Sequence, residues 1–146
     1  MAKVVSINIS DKKGVVKTPI NEGEFIEDYG LKDDAHAGKW HRQVSLLAKE
    51  SIDKMTALGV MDLSFGKFAE NITTEGIVLY TLPVGTKLKI GRTIHEVTQI
   101  GKECHTGCAI KNKVGQCIMP KEGIFTRVIT GGRIKAGDII EIINED

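Results

Sequence analysis

The chain has 146 residues, with 20 Lys and Arg against 19 Asp and Glu and a formal net charge of +1 at pH 7. That balance excludes the basic excess by which nucleic-acid-binding and membrane-surface proteins hold their partners, so neither partner is expected. The length fits one domain over 1–146 with chain enough to bury a core unaided. No apolar run approaches the ~20 residues of a membrane span and no basic-then-apolar leader follows Met1, so a soluble, cytoplasmic protein is expected. Three cysteines, an odd number, point to reduced thiols rather than a disulfide framework.

Val5, Ile7 and Ile9 alternate with other residues and predict a half-buried strand over Lys3–Ile9. Asp11 to Gly14 is a turn whose basic tip, Lys12 and Lys13, is either solvated or in contact with an anion. Glu24 to Tyr29 reads as a second strand, closed by Gly30. From Leu31 to Arg42 the chain gathers Asp33, Asp34, His36, Trp40, His41 and Arg42. A core segment could not satisfy so many polar atoms, so this is a surface loop of the kind that carries binding groups. The competing reading makes Asp34 and His36 simple turn caps. Arg42 carries a rigid five-donor fork that suits phosphate or carboxylate, a surface salt bridge being its other use.

Gln43–Leu47 predicts a strand entering a helix from Ala48 to Leu58, with Ile52, Met55 and Leu58 as the apolar face and Gly59 as the stop. Leu82 to Gly85 is a turn, followed by strands over Lys87–Ile90 and Arg92–Ile100. Gly123 to Ile129 alternates again, placing Ile124, Thr126 and Val128 on one face and Arg127 on the other. A turn at Lys135–Asp138 leads into a last strand, Ile139–Ile143. The 16 glycines are scattered, as short strands joined by tight turns require. The expected class is mainly β with a few short helices, closed or nearly closed into a barrel that hides its edges.

Between the strands ending at Ile100 and beginning at Gly123 lies Gly101 to Lys111, holding Cys104, His105 and Cys108 between Lys102 and Lys111. A thiol reacts as its thiolate, which nearby Lys and His cations favour. Residues four apart share a helix face, so the two cysteines can form a disulfide or jointly hold a soft metal or a sulfur atom. Gly107 works against a regular helix, and any of the cysteines can instead pack as a small hydrophobe. Cys117, beside Ile118 and Met119, favours packing. A zinc site from Cys104, His105, Cys108 and Cys117 is the rival, but adjacent Cys104 and His105 fit one tetrahedron poorly. An iron–sulfur cluster lacks its fourth cysteine.

Several stretches together resemble the MOSC family, the domain named for the C-terminal part of molybdenum cofactor sulfurases. They are Gly30-Leu31 with Asp34 and His36, His41-Arg42-Gln43-Val44, Gly66 to Thr73, Val84-Gly85 with Leu88, Ile90 and Gly91, the cysteine stretch, and Lys135 to Asp138. They follow the family's order. Asp33 departs from it, since many members have glycine there. The paired cysteines depart too, since members generally have one functional cysteine, and the step Ala109-Ile110 favours Cys108 for that place.

The resemblance implies a β-barrel of the MOSC type that binds the pyranopterin molybdenum cofactor. It implies Cys108 and Cys104 as the catalytic pair, with Cys108 either carrying a persulfide or ligating molybdenum, and His36, Arg42, Asn71, Arg92 and Arg127 as cofactor-binding residues. A persulfide on one cysteine is open to attack by its neighbour, which would release sulfur by thiol exchange. The larger sulfurases make their sulfur in a pyridoxal-phosphate part for which this chain has no room, so no pyridoxal phosphate is expected. The implied partners are a sulfur donor such as a cysteine desulfurase and a molybdoenzyme or cofactor-biosynthesis protein. The alternatives are a molybdenum reductase of N-hydroxylated compounds that needs an electron donor, and a non-catalytic cofactor-binding module.

Overall fold

The computed structural model describes residues 2–12, 16–57, 66, 70–101 and 122–143. Among these, eleven strands and one α-helix follow in the order β1 (Lys3–Ile9), β2 (Thr18–Ile20), β3 (Glu22–Ile26), β4 (Gly30–Leu31), β5 (Val44–Ala48), α1 (Lys49–Ala57), β6 (Ile72–Glu75), β7 (Lys87–Ile90), β8 (Thr93–Ile100), β9 (Ile124–Thr130), β10 (Gly132–Lys135) and β11 (Ile140–Ile143). The mainly-β class therefore stands. Eight strands form one sheet in the order β11-β7-β8-β9-β5-β6-β1-β2, and β10-β3-β4 form a second. Pairings are antiparallel except β5 with β6, where α1 begins the crossover that a parallel pair needs. No helix among the described residues is long and apolar enough to cross a membrane.

The expected barrel is corrected. The ladders of the large sheet do not close into a ring; β1 and β11 meet only through the isolated bridge Lys3↔Ile139. Around it, Val4 N–H donates to Asp138 O at 2.8 Å and Ile140 N–H donates to Ala2 O at 2.9 Å. Sheet twist has curled the open sheet until its β11 edge meets β1, the strand next to the opposite edge, and one bridge stands in place of a full ladder.

The first strand has the expected bounds but not the expected face. Val4 and Ile7 are buried, while Val5 and Ile9 are only half-buried. The cause is a register shift between Val4 and Ser6 in the pairing with β6. A bulge inserts one residue, so the alternation changes phase part-way along. In β9 the expected pattern is met, with Ile124, Thr126 and Val128 buried and Arg127 exposed.

The core joins both sheets, with Leu46, Ile72, Leu88, Val97 and Ile124 from the large sheet against Phe25, Leu31 and Ile134 from the small one. It also holds a histidine. His95 lies on the inward face of β8, edge-on to the Phe25 ring at 5.7 Å. Thr93 gives its hydroxyl proton to Ile90 O (2.8 Å) and so accepts from His95 Nε2 (2.9 Å), leaving Nδ1 to accept from Thr126 Oγ1 (3.0 Å). The neutral ring is satisfied on both sides. Burial away from water pushes its pKa down from 6.5 to about 3.

The pH consequence has a definite sign. A histidine whose folded pKa lies below its unfolded value keeps its full stabilising effect above pH 6.5, and loses it as pH falls from 6.5 toward 3, where only the unfolded chain takes up the proton. The urea midpoint is expected to drop across that window by a change worth up to about 5 kcal/mol, and His95→Gln to flatten the slope. A wild-type midpoint that stays level between pH 6.5 and 4 would contradict this.

Candidate functional site

The loop from Lys32 to Gln43, between β4 and β5, is built around a buried charge. Asp33 enters with φ at +68°, the left-handed conformation that glycine takes freely and aspartate tolerates better than most residues. The turn drives the Asp34 carboxylate inward, where its side chain is wholly buried against an equally buried Lys17 at 2.8 Å. Asp34 Oδ1 also accepts from Ser10 N (3.1 Å), and Oδ2 from His36 N (3.0 Å). Burial alone would raise the Asp34 pKa, but the Lys17 hydrogen bond and charge, with the two backbone donors, outweigh it and hold the carboxyl below its usual range.

Lys17 is held in turn by Gly66. Lys17 N donates to Gly66 O at 2.8 Å, and a Cβ added at Gly66 would lie 2.3 Å from the Lys17 carbonyl, so only glycine fits this approach. The Lys17 ammonium also reaches Ser10 Oγ (2.9 Å) and His36 Nδ1 (3.1 Å). An ammonium only donates, so His36 Nδ1 accepts and the ring proton sits on Nε2. Trp40 Nε1 donates to His36 O at 2.7 Å, folding the second half of the loop over the first.

That second half meets the large sheet where the cysteine stretch departs. His41 Nε2 donates to Gln99 Oε1 at 2.9 Å, and Gln99 Nε2 donates to Gly101 O at 2.7 Å, which fixes the orientation of the amide. Thr98 Oγ1 donates to His41 O. Gly101 N in turn donates to Gly123 O at 2.6 Å, so the chain leaves β8 and rejoins β9 at one place. Beside this base, the Arg42 guanidinium lies over the Trp40 ring at 4.7 Å and 5.7 Å from the centre of Phe125. Its Nε is buried with no hydrogen-bond partner among the described residues. Gln43 closes the loop, donating to Asp28 Oδ1 (3.0 Å) and accepting from Val128 N (2.9 Å).

The residues expected at the site divide. His36 and Arg42 share this loop. Asn71 is buried, and its side chain pins neighbouring strands: Oδ1 accepts from Ser45 N (3.0 Å) and Nδ2 donates to Asn8 O (3.3 Å). Arg127 lies on the outer face of β9, paired with Glu96 at 2.7 Å. Arg92 precedes β8, whereas Gln99 is near its end; seven residues at ~3.3 Å each separate them by roughly 23 Å. Cys104, Cys108 and Cys117 lie outside the described residues, as does the candidate zinc ligand His105. Among the described residues no three His, Cys, Asp or Glu side chains gather to hold a metal ion. The sequence reading missed Lys17 and Gln99.

The chain is a mainly-β domain of two sheets with one polar loop fastened to the end of β8. Residues 33–141 match the family model described as the MOSC domain, and the chain belongs to that family, which is associated with the molybdenum cofactor. The fold is similar to the crystal structure of the YuaD protein from Bacillus subtilis, with a TM-score of 0.82 and 18% identity over 100% of this chain and 98% of that one. It also resembles YiiM from Geobacillus stearothermophilus (TM-score 0.74, 21% identity, 99% of this chain and 76% of that one) and YiiM from Escherichia coli (0.71, 16%, 100% and 71%). Among curated proteins no significant sequence match is found.

Removing the Asp34 carboxylate would strand a buried ammonium. Asp34→Ala is expected to cost about 3 kcal/mol or more in urea unfolding. Asp53→Ala, which removes the exposed partner of Lys49, is expected to leave the midpoint unmoved. Equal effects in the two variants would show that the Lys17–Asp34 pair is not what fixes the loop.

Proposed function

We propose that this chain binds the pyranopterin molybdenum cofactor against the loop 32–43 and carries sulfur on the neighbouring cysteine pair. The observation that supports this most is the link His41–Gln99–Gly101, which fastens the loop to the point where the cysteine stretch begins. The loop's donors suit the cofactor's phosphate. Arg42 offers a charged fork, and its buried Nε, without a partner among the described residues, carries a desolvation cost of about 1–3 kcal/mol that an anionic acceptor would relieve. Trp40 and Phe125 hold the guanidinium between them. The Nε2–H of His36 adds a donor whose direction is set by Lys17. Asn71 acts as a positioning residue, holding β5 where it receives the loop.

When bound, the cofactor supplies a sulfur-loving metal centre, for which Cys108 is a suitable ligand. The chain's own chemistry lies in its thiols. Cys108 receives a sulfane sulfur from a donor protein, such as a cysteine desulfurase, in a reducing, cytoplasmic setting. The Cys104 thiolate then attacks the Cys108 sulfur; the persulfide S–S bond breaks, a Cys104–Cys108 disulfide forms, and hydrosulfide leaves with the electron pair. A thiol reductant restores the pair. The acceptor is a molybdoenzyme or a protein of cofactor assembly.

Intact mass and molybdenum content of protein purified without oxygen test this reading. A gain of ~32 Da, removed by mild reduction and absent in Cys108→Ser, is expected, with Cys104→Ser loaded but slow to release. Arg42→Ala is expected to weaken cofactor retention by roughly ten- to a hundredfold, the worth of a charge-assisted hydrogen bond. Molybdenum near one per chain without sulfane sulfur would overturn the sulfur-carrier reading in favour of a cofactor-bound reductase. Zinc lost with the same cysteines would overturn both.

A further inference from the structure

At the other end of β8, the β7–β8 turn and β10 enclose a cleft of about 500 Å³. Its charged lining is Arg92, Arg133 and Lys135 with Glu22 and Asp138. Three cations face two carboxylates, and both carboxylates are engaged. Glu22 is paired with Arg133 at 2.9 Å, and Asp138 Oδ2 accepts the backbone N–H of Lys135 at 3.0 Å. The Arg92 and Lys135 side chains make no ion pair or side-chain hydrogen bond among the described residues. Gly91, Gly131, Gly132 and Ile134 complete the lining; the glycines let Asp138 and the neighbouring β3 backbone pack close, which shapes the cleft wall.

We propose that this cleft binds a small organic phosphate monoester, at a site separate from the loop 32–43. The Arg92 fork matches two phosphate oxygens at once, and Lys135 adds a point charge. The size argues for more than phosphate. The cleft falls in the usual range for small-molecule sites, roughly 300–1,000 Å³, and a bare phosphate ion would leave most of it empty. Engaged carboxylates inside the cleft and a net charge of only +1 oppose a polyanion laid across it, which favours a compact ligand over nucleic acid or a membrane. Arg92 and Gln99 stand at opposite ends of β8, at most roughly 23 Å apart along the strand, so the cleft lies away from the point where the loop 32–43 is fastened.

The test is an amide NMR titration of the full chain with adenosine monophosphate and, separately, inorganic phosphate. Signals of Gly91, Gly131 and Gly132 are expected to move, with a Kd for the nucleotide below about 1 mM and weaker binding of phosphate alone. The double variant Arg92→Ala/Lys135→Ala is expected to lose at least about tenfold in affinity while its retention of molybdenum cofactor is unchanged. Its exposed side chains leave the core intact. No movement at about 10 mM nucleotide, well above the expected Kd, would overturn the proposal. So would shifts confined to the loop 32–43, or undiminished affinity in the double variant. Loss of cofactor retention in that variant would merge the cleft with the loop site and overturn its independence.

Discussion

A carboxylate cannot be taken wholly out of water unless donors and a cation replace its hydration, and Asp34 gathers both from three separate parts of the chain. Lys17 comes from the segment before β2, Ser10 from the end of β1, and His36 from the loop itself. The loop has little freedom left once these contacts form. Through Gly66 the same arrangement reaches the interior, because Gly66 N donates to Glu70 Oε2, which also accepts from Thr73 Oγ1. Thr73 accepts from Asn8, and the Asn8 and Asn71 backbones bond across to one another. The molecule thus has a polar interior beside its apolar one. Such pairs add little net stability over packed hydrocarbon, but a wrong arrangement would leave charges unmatched, so they select one geometry.

The fold was legible where side chains obey a simple period. Lys3 to Ile9, Lys87 to Ile90 and Ile124 to Val128 signal strands, and the helix begins one residue later than expected and runs to Ala57; its expected end at Leu58 and Gly59 lies outside the described residues. What was not legible has physical causes. The bulge in β1 depends on its partner β6 and leaves no mark in its own alternation. β2 and β4 are too short to show a period, and β10 continues β9 past Gly131, so no turn announces it. Closure into a barrel is a property of pairings far apart in sequence, and here a single bridge serves.

At the site, residue types told more than positions. The density of Asp34, His36, Trp40 and Arg42 marked a loop rich in polar groups, and the structure gathers all four there, with the Arg42 guanidinium over the Trp40 ring. Arg92 and Arg127 offered the same chemistry in the sequence; the structure puts Arg92 before β8, at the far end from Gln99, and Arg127 on the outer face of β9. Lys17 drew no notice beside Lys12 and Lys13. Its neighbours Val16, Thr18 and Pro19 are exposed, so no local pattern marks its burial; the partner that accounts for it, Asp34, comes from a different part of the chain.

The hydrogen bond between Gly101 and Gly123 has a consequence for how this architecture changes over time. Because the chain departs from β8 and returns to β9 at one pinned point, the span between can lengthen, shorten or change its sequence without re-registering either strand. Closing a longer span costs only about 0.6 kcal/mol per doubling of its length. The scaffold and the segment from Gly101 to Gly123 are therefore separable units of inheritance. Grafting another segment between Gly101 and Gly123 would change the sequence carried there while keeping the same body.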